Sequence, residues 1–252
     1  LHLSLRRQRQ MCIRDSINKD LTATELARLL GNGTNLGNTM EAYGHKSYSA
    51  DTDPESFETL WGQPVTTEEM IKGMKASGFD SLRVPVAWTN AMEYEKGDYT
   101  INEAYLDRVE EIINYALDND MYVIINDHWD GSWWGMFGSS EQSDVDKAFE
   151  MYKSMWTQIA NRYKKYSDRL IFEGANEELG DRLNDTDVCK NSGSLSKAEC
   201  YEMANKINQT FVDTVRATGG NNEQRFLLIA GYNTDITMTL SLIHISEPTR
   251  RS

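Results

Sequence analysis

RLIFEGANE (169–177) is an apolar run that turns polar at its end. Leu170, Ile171 and Phe172 suit a buried strand, and the chain then opens through Gly174 into Asn176 and Glu177. The same form recurs upstream. YVIINDHWDG (122–131) is apolar through Ile125 and then places Asp127 and His128. SLRVPV (81–86) is β-branched around Arg83, with Pro85 confined to the strand's end. GTNLGN (33–38) and RFLLIAG (225–231) add a short first strand and a fifth.

Helical signals fill the intervals. Thr22-x-x-Glu25, Thr66-x-x-Glu69 and Ser196-x-x-Glu199 each read as a capping box before an apolar-periodic run. Gly31, Gly78 and Gly219-Gly220 stand where those runs should stop. Leu106, Val109, Ile112, Ile113, Ala116 and Leu117 form one helical stripe, and Phe149, Trp156, Ile159, Ala160 and Tyr163 another. Strands that alternate with helices and are apolar on both faces predict an α/β fold with a parallel sheet. No GxGxxG or GxxxxGK[ST] loop follows a strand, which disfavours the nucleotide-binding open sheets. The expectation is therefore a (β/α)8 TIM barrel, incomplete, with about five of eight units readable. At roughly 45 residues per unit, a whole barrel would need on the order of 350.

The 252 residues carry a net charge of −13. That excess argues against nucleic acid or an anionic membrane as partner. No apolar run is long enough to span a bilayer. Four His and three Cys without CxxC or HExxH give no basis for a zinc site, and no cofactor is expected. The two ends differ from the middle. Residues 1–16 (LHLSLRRQRQMCIRDS) and 241–252 (SLIHISEPTRRS) are both net basic, whereas 17–240 holds 20 basic and 37 acidic side chains. MCIRDS and SLIHISEPTR resemble translated sequencing-adapter DNA, so both ends are expected to be non-native and 17–240 to be the partial barrel. A natural basic arm and tail is the alternative, and aligning source reads across both junctions separates the two.

Polar residues at the C-terminal ends of barrel strands are where such folds place their chemistry. Glu177 is there a candidate proton donor, or else an exposed acid at a helix start. Glu173, inside the strand, is read as an internal hydrogen-bonding group, and Glu178 as the less favoured acid. His128 ends the third strand, either to bind a hydroxyl or carboxylate or as a satisfied polar core residue. Arg83 needs an anionic partner, because an unpaired buried charge is very costly. It either orients a catalytic carboxylate or forms a structural ion pair. Trp129, Trp133 and Trp134 crowd one loop, with one or two of them expected to stack on a ligand and the rest to pack. Tyr232-Asn233 has weaker support as cleft lining. Asp185-Thr186-Asp187 begins like a calcium loop but lacks the later ligand and Gly, and is read as a solvated loop. Cys189 and Cys200 are either free thiols or one small disulfide loop.

Taken in order, NLGNT (35–39), ETLWGQP (58–64), GFDSLRVPVAW (78–88), VIINDHWDG (123–131), FEGANE (172–177) and VRATGGNN…GYNT (215–234) resemble glycoside hydrolase family 5 of the endoglucanase type. The resemblance implies a retaining barrel enzyme acting mostly on β-1,4-linked polysaccharide, secreted, monomeric and free of cofactor. It implies that Glu177 is the acid/base and Asn176 the asparagine before it. Arg83 and His128 match the residues of strands two and three, and Asn38 the strand-one motif. Thr34 stands where the family often has Trp, and Trp129 where many members have a second His. The family's nucleophile Glu follows a seventh strand and has no counterpart in 236–252, so this chain is expected to be inactive. The alternatives are a xyloglucanase, mannanase or mixed-linkage glucanase of the same fold, and a non-catalytic carbohydrate-binding barrel.

Overall fold

The computed structural model describes residues 16–128, 133–185 and 193–240. Both expected non-native ends therefore lie outside the described residues, apart from Ser16. So do Trp129, Cys189 and most of the Asp185–Asp187 loop.

Among the described residues, five strands lie side by side in chain order, all parallel: β1 (Gly33–Asn35), β2 (Ser81–Val84), β3 (Tyr122–Asn126), β4 (Leu170–Glu173) and β5 (Leu227–Leu228). Helices precede, connect or follow them: α1 (Ala23–Leu29), α2 (Pro54–Thr59), α3 (Glu68–Ala76), α4 (Glu103–Asp118), α5 (Gln142–Arg162), α6 (Lys197–Ala217) and α7 (Ile236–Leu240). This is the architecture of an incomplete (β/α)8 barrel.

The register divides the sheet into two faces. Leu82, Val123 and Leu170 align across three strands, as do Val84, Ile125 and Phe172, and all six are wholly buried in the main core among the helices. The opposite face is apolar at its lower end, where Tyr122, Ile124 and Ile171 meet Leu21 and Leu26 of the α1 segment. Its upper end is polar: Arg83, Asn126 and Glu173. The expectation of apolar strands on both faces holds for the outer row and for half of the inner one.

Thr22 and Ser196 form the expected capping boxes of α1 and α6. The third box is displaced. Thr67, not Thr66, caps α3, its side chain accepting from the Met70 amide. Thr66 is held elsewhere: its amide donates to Glu58 (2.8 Å) and its carbonyl accepts from Arg108 (2.7 Å). Glu58 and Arg108 form a buried pair at 2.6 Å that fixes α2 against α4. β5 is also shorter than the expected 225–231. Arg225 is drawn into the interior, and the Ala230 carbonyl is taken by Asn208 Nδ2 at 2.9 Å, which leaves Leu227 and Leu228 for the ladder.

Of the three tryptophans of which one or two were expected to stack on a ligand, Trp133 and Trp134 are core residues. Trp133 and Trp134 are both 0% exposed. Their rings stack at 4.6 Å within a 3-10 turn (Trp133–Gly138), against Phe137 of the same turn and Tyr152. The turn can approach the Asp181–Asn184 segment only because Gly138 has no side chain. A Cβ there would sit 1.8 Å from the Leu183 carbonyl oxygen.

Candidate active site

Arg83 sits at the centre of the polar end of the sheet. Its Nε and one terminal nitrogen donate to both oxygens of Glu173, at 2.6 and 2.8 Å. That terminal nitrogen also donates to Asn176 Oδ1 at 2.7 Å. Glu173 is thus the anion that Arg83 required, and the fork geometry is the strong bidentate kind. Burial works against the Arg83 charge, but Glu173 more than offsets it and raises its pKa. Arg83 does not reach for Glu177. It holds the residue before it.

That contact fixes the chemistry of Asn176. With Oδ1 occupied by a donor, its Nδ2 is the group left to donate. The backbone amide of Asn176 donates to Glu178 Oε2 at 2.5 Å, and Glu178 is wholly buried. Glu177, between them, is solvent-exposed. Asn176 and Glu177 thus sit on a turn clamped by a cation on one side and a buried carboxylate on the other.

His128 is half-buried at the end of β3 and is oriented by Asn126. Asn126 Oδ1 accepts from the Val86 amide (3.2 Å), so its Nδ2 is the group that faces His128 Nδ1 at 3.1 Å. Nδ1 must then accept, which makes the imidazole neutral with its proton on Nε2. Burial, reinforced by the Arg83 charge, pushes the His128 pKa down to about 4. An unfolded His titrates near 6.5. Between those values the unfolded chain binds more protons, so stability should fall as the pH drops from about 6.5 to about 4. Urea midpoints at pH 7 and 4.5 check this. The drop should be smaller in His128→Gln, and an equal drop in both proteins would contradict the assignment.

Asn38 adopts a left-handed conformation (φ 62°) and is exposed at the end of the first unit. Its turn is held by Glu41, which accepts from the amides of Asn38 and, at 2.8 Å, Thr39. Burial raises the Glu41 pKa, against the pull of those amides and of Arg83. Tyr232 departs from expectation. It is 3% exposed, its ring lies 3.9 Å from that of Tyr201, and its hydroxyl donates to Asp181 at 3.0 Å. It joins the loops after β4 and β5 rather than lining an open cleft. Cys200 is buried, with its thiol near Asn184 and Leu195.

The structure brings Arg83, His128, Asn176 and Glu177 to the C-terminal ends of β2, β3 and β4, and Asn38 to that of β1. Reading the sequence missed Glu41, Asn126 and the strut role of Glu178. The Asn38-x-x-Glu41 spacing, which copies a capping box, was the available signal for the first.

A parallel βα sheet with an exposed carboxyl, an oriented amide and a neutral imidazole at its C-terminal end is the arrangement of a barrel enzyme's active face. The family model for Cellulase (glycosyl hydrolase family 5) matches residues 43–249, reaching into the segment expected to be foreign. The chain belongs to that family. It is 39% identical over 233 residues to a xyloglucan-specific endo-beta-1,4-glucanase of Bacteroides ovatus, covering 91% of this chain and 42% of that protein. It is 38% identical over 214 residues to endoglucanase A of Ruminococcus albus, covering 85% and 54%. Among solved structures, a broad-specificity endoglucanase from Ruminococcus champanellensis with bound cellotriose matches with a TM-score of 0.74 at 36% identity, covering 92% of this chain and 64% of that one. A family 5 enzyme from Prevotella bryantii B14, in complex with a xyloglucan tetradecasaccharide, matches with a TM-score of 0.75 at 34% identity, covering 91% and 63%. The chain spans about half the length of the curated relatives it matches.

Proposed function

We propose that the complete protein is a retaining endo-glucanase that cleaves internal β-1,4 bonds of cellulose or a related β-glucan, xyloglucan included. One observation carries this reading: Asn176 and Glu177 stand together at the end of β4, the first held by Arg83 and the second open to solvent. In such a mechanism one carboxylate attacks the anomeric carbon and forms a glycosyl-enzyme. Glu177 protonates the departing glycosidic oxygen and later takes the proton of the attacking water. The Nδ2 of Asn176 donates to a sugar hydroxyl, and His128 Nε2–H offers a second donor. A polymeric substrate places this work outside the cell.

The nucleophile should lie about 5–5.5 Å from the acid/base carboxyl. The carboxylates described around Arg83 are already engaged. Glu173 is forked to Arg83, Glu178 is buried beneath the Asn176 amide, and Glu41 holds the Asn38 turn. The 252-residue chain should therefore release no reducing sugar from carboxymethyl cellulose or xyloglucan, while the complete protein should release product of retained β configuration, read by proton NMR. Robust hydrolysis by this chain would overturn the first statement. Product of inverted configuration would overturn the mechanism.

A further inference from the structure

The turn that follows β5 carries two consecutive residues with a strained backbone. Asn233 (φ 48°) and Thr234 (φ 53°) both lie in the left-handed region. A β-branched residue rarely adopts it, and such strain persists only where surrounding contacts over-determine it. Three hydrogen bonds of Asn233 run to one segment, residues 179–181. Its amide donates to the Leu179 carbonyl at 2.7 Å. Its Oδ1 accepts from the Asp181 amide, and its Nδ2 donates to Asp181 Oδ2, both at 2.9 Å. The neighbouring Tyr232 hydroxyl donates to Asp181 Oδ1 at 3.0 Å. These donors, Asn233 first, hold the Asp181 carboxyl below its ordinary range. No side chain fits between the two turns. Gly180 takes φ 142°, and a Cβ there would sit 1.9 Å from Asn233 Oδ1.

The clasped segment begins two positions after Glu177. On the other side of Glu177, Arg83 and Glu178 hold Asn176. The Glu177 side chain is exposed, so the backbone on either side of it sets where its carboxyl can reach. We infer that Asn233 is a positioning residue for the acid/base carboxyl: together with Asp181 it clasps the turn after β5 to the segment behind Glu177, and so fixes where Glu177 meets the glycosidic oxygen. Asn233 touches no reacting atom and acts through residues 179–181. The strain at Asn233 and Thr234 is what the turn bears to present an amide and a carboxamide to that one segment. This inference rests on the proposed function, because it needs Glu177 to be the proton donor.

Kinetics of the complete protein on glucan polymer and on dinitrophenyl cellobioside test it. The aryl group departs without protonation, so kcat/KM on that substrate, which reports the first step, does not need a well-placed proton donor. Asn233→Gly keeps the positive φ and the backbone amide but loses both side-chain bonds. It should lower kcat/KM on polymer by about ten-fold or more, with the loss in kcat, since a misplacement of ~1 Å can cost ~10²-fold. The aryl glycoside should be almost unaffected. Asp181→Ala should behave in the same way, and the double variant no worse than either single one, because both break one clasp. Asp181→Asn can still accept from Asn233 and bond to the Tyr232 hydroxyl, so it should retain most of the rate. If Asp181→Ala fails to fold by near-ultraviolet circular dichroism, Asn233→Gly and Asp181→Asn carry the test. Equal losses on polymer and aryl glycoside in Asn233→Gly would mean a merely structural role and overturn the inference. So would wild-type kinetics in Asn233→Gly, or a loss in Asp181→Asn as large as that in Asp181→Ala, which would make the charge of Asp181 the cause. A wild-type protein that hydrolyses neither substrate would remove the proposed function and this inference with it. Wild-type hydrolysis left unchanged by Asn233→Gly would remove the inference alone.

Discussion

Glu177→Gln in the complete protein should lower kcat/KM on glucan polymer by about 10²–10⁴-fold, the usual contribution of general acid–base catalysis. Gln keeps the volume and the hydrogen-bonding edge of Glu but can neither give nor take the proton. The neighbours should not move. Asn176 is held by Arg83 Nη2 and Glu178 independently of the Glu177 side chain, which projects to solvent. KM should therefore change little, and the loss should fall on kcat. The leaving group supplies the diagnostic. A dinitrophenyl glycoside departs without protonation, so its first step should survive Glu177→Gln and only the water step should slow. An equal loss of kcat/KM on polymer and activated glycoside would mean that Glu177 is not the proton donor. The same experiment on Glu178 separates the two adjacent acids. Glu178→Gln preserves an acceptor for the Asn176 amide and should be mild, because Glu178 is buried and faces the backbone rather than the solvent.

The strands were legible because their residues face the same neighbours throughout. YVIIN (122–126) is apolar and β-branched, and it forms β3 over those residues. The polar ends of strands were legible for the same reason: Arg83 in an apolar strand demanded an anion, and Glu173 supplies it. What could not be read depends on partners remote in the chain. Whether a Trp in HWDGSWW faces ligand or core is decided by Tyr152 and Phe137, and both Trp133 and Trp134 turn inward. Thr66 looked like a cap until Glu58 and Arg108 claimed its backbone. Tyr232 looked like cleft lining until Asp181 took its hydroxyl. In each case a local pattern was correct about what the residue can do, and a long-range contact settled what it does.

Arg225 is the extreme of that class. It reads as an ordinary basic residue before a strand, yet it is wholly buried, and its carbonyl partners lie 55 to 62 positions back. Its Nε donates to Asn222 Oδ1 at 2.7 Å. Its terminal nitrogens reach the carbonyls of Ser167 (2.8 Å), Leu170 (2.6 Å) and Tyr166 (2.6 Å), with longer contacts to Tyr163 and Lys164. Those carbonyls belong to the end of α5 and the turn into β4, so one guanidinium ties β5 to the segment that delivers Asn176 and Glu177. The Phe172 ring lies 4.7 Å from its centre. Arg225→Met would fill most of the volume, and the Tyr163, Tyr166 and Ser167 carbonyls keep other donors, but the Leu170 carbonyl and Asn222 Oδ1 would lose theirs, each costing about 1–3 kcal/mol before relaxation. The expected loss is about 2–6 kcal/mol, a large part of the roughly 5–15 kcal/mol by which domains are stable. Arg225→Lys should recover little, because one ammonium cannot fan across carbonyls spread over two turns. Lys72→Ala, which removes an exposed pair with Glu68, should leave the urea midpoint unchanged. A midpoint for Arg225→Met close to that of wild type would mean that these acceptors find water or other donors when the guanidinium is gone.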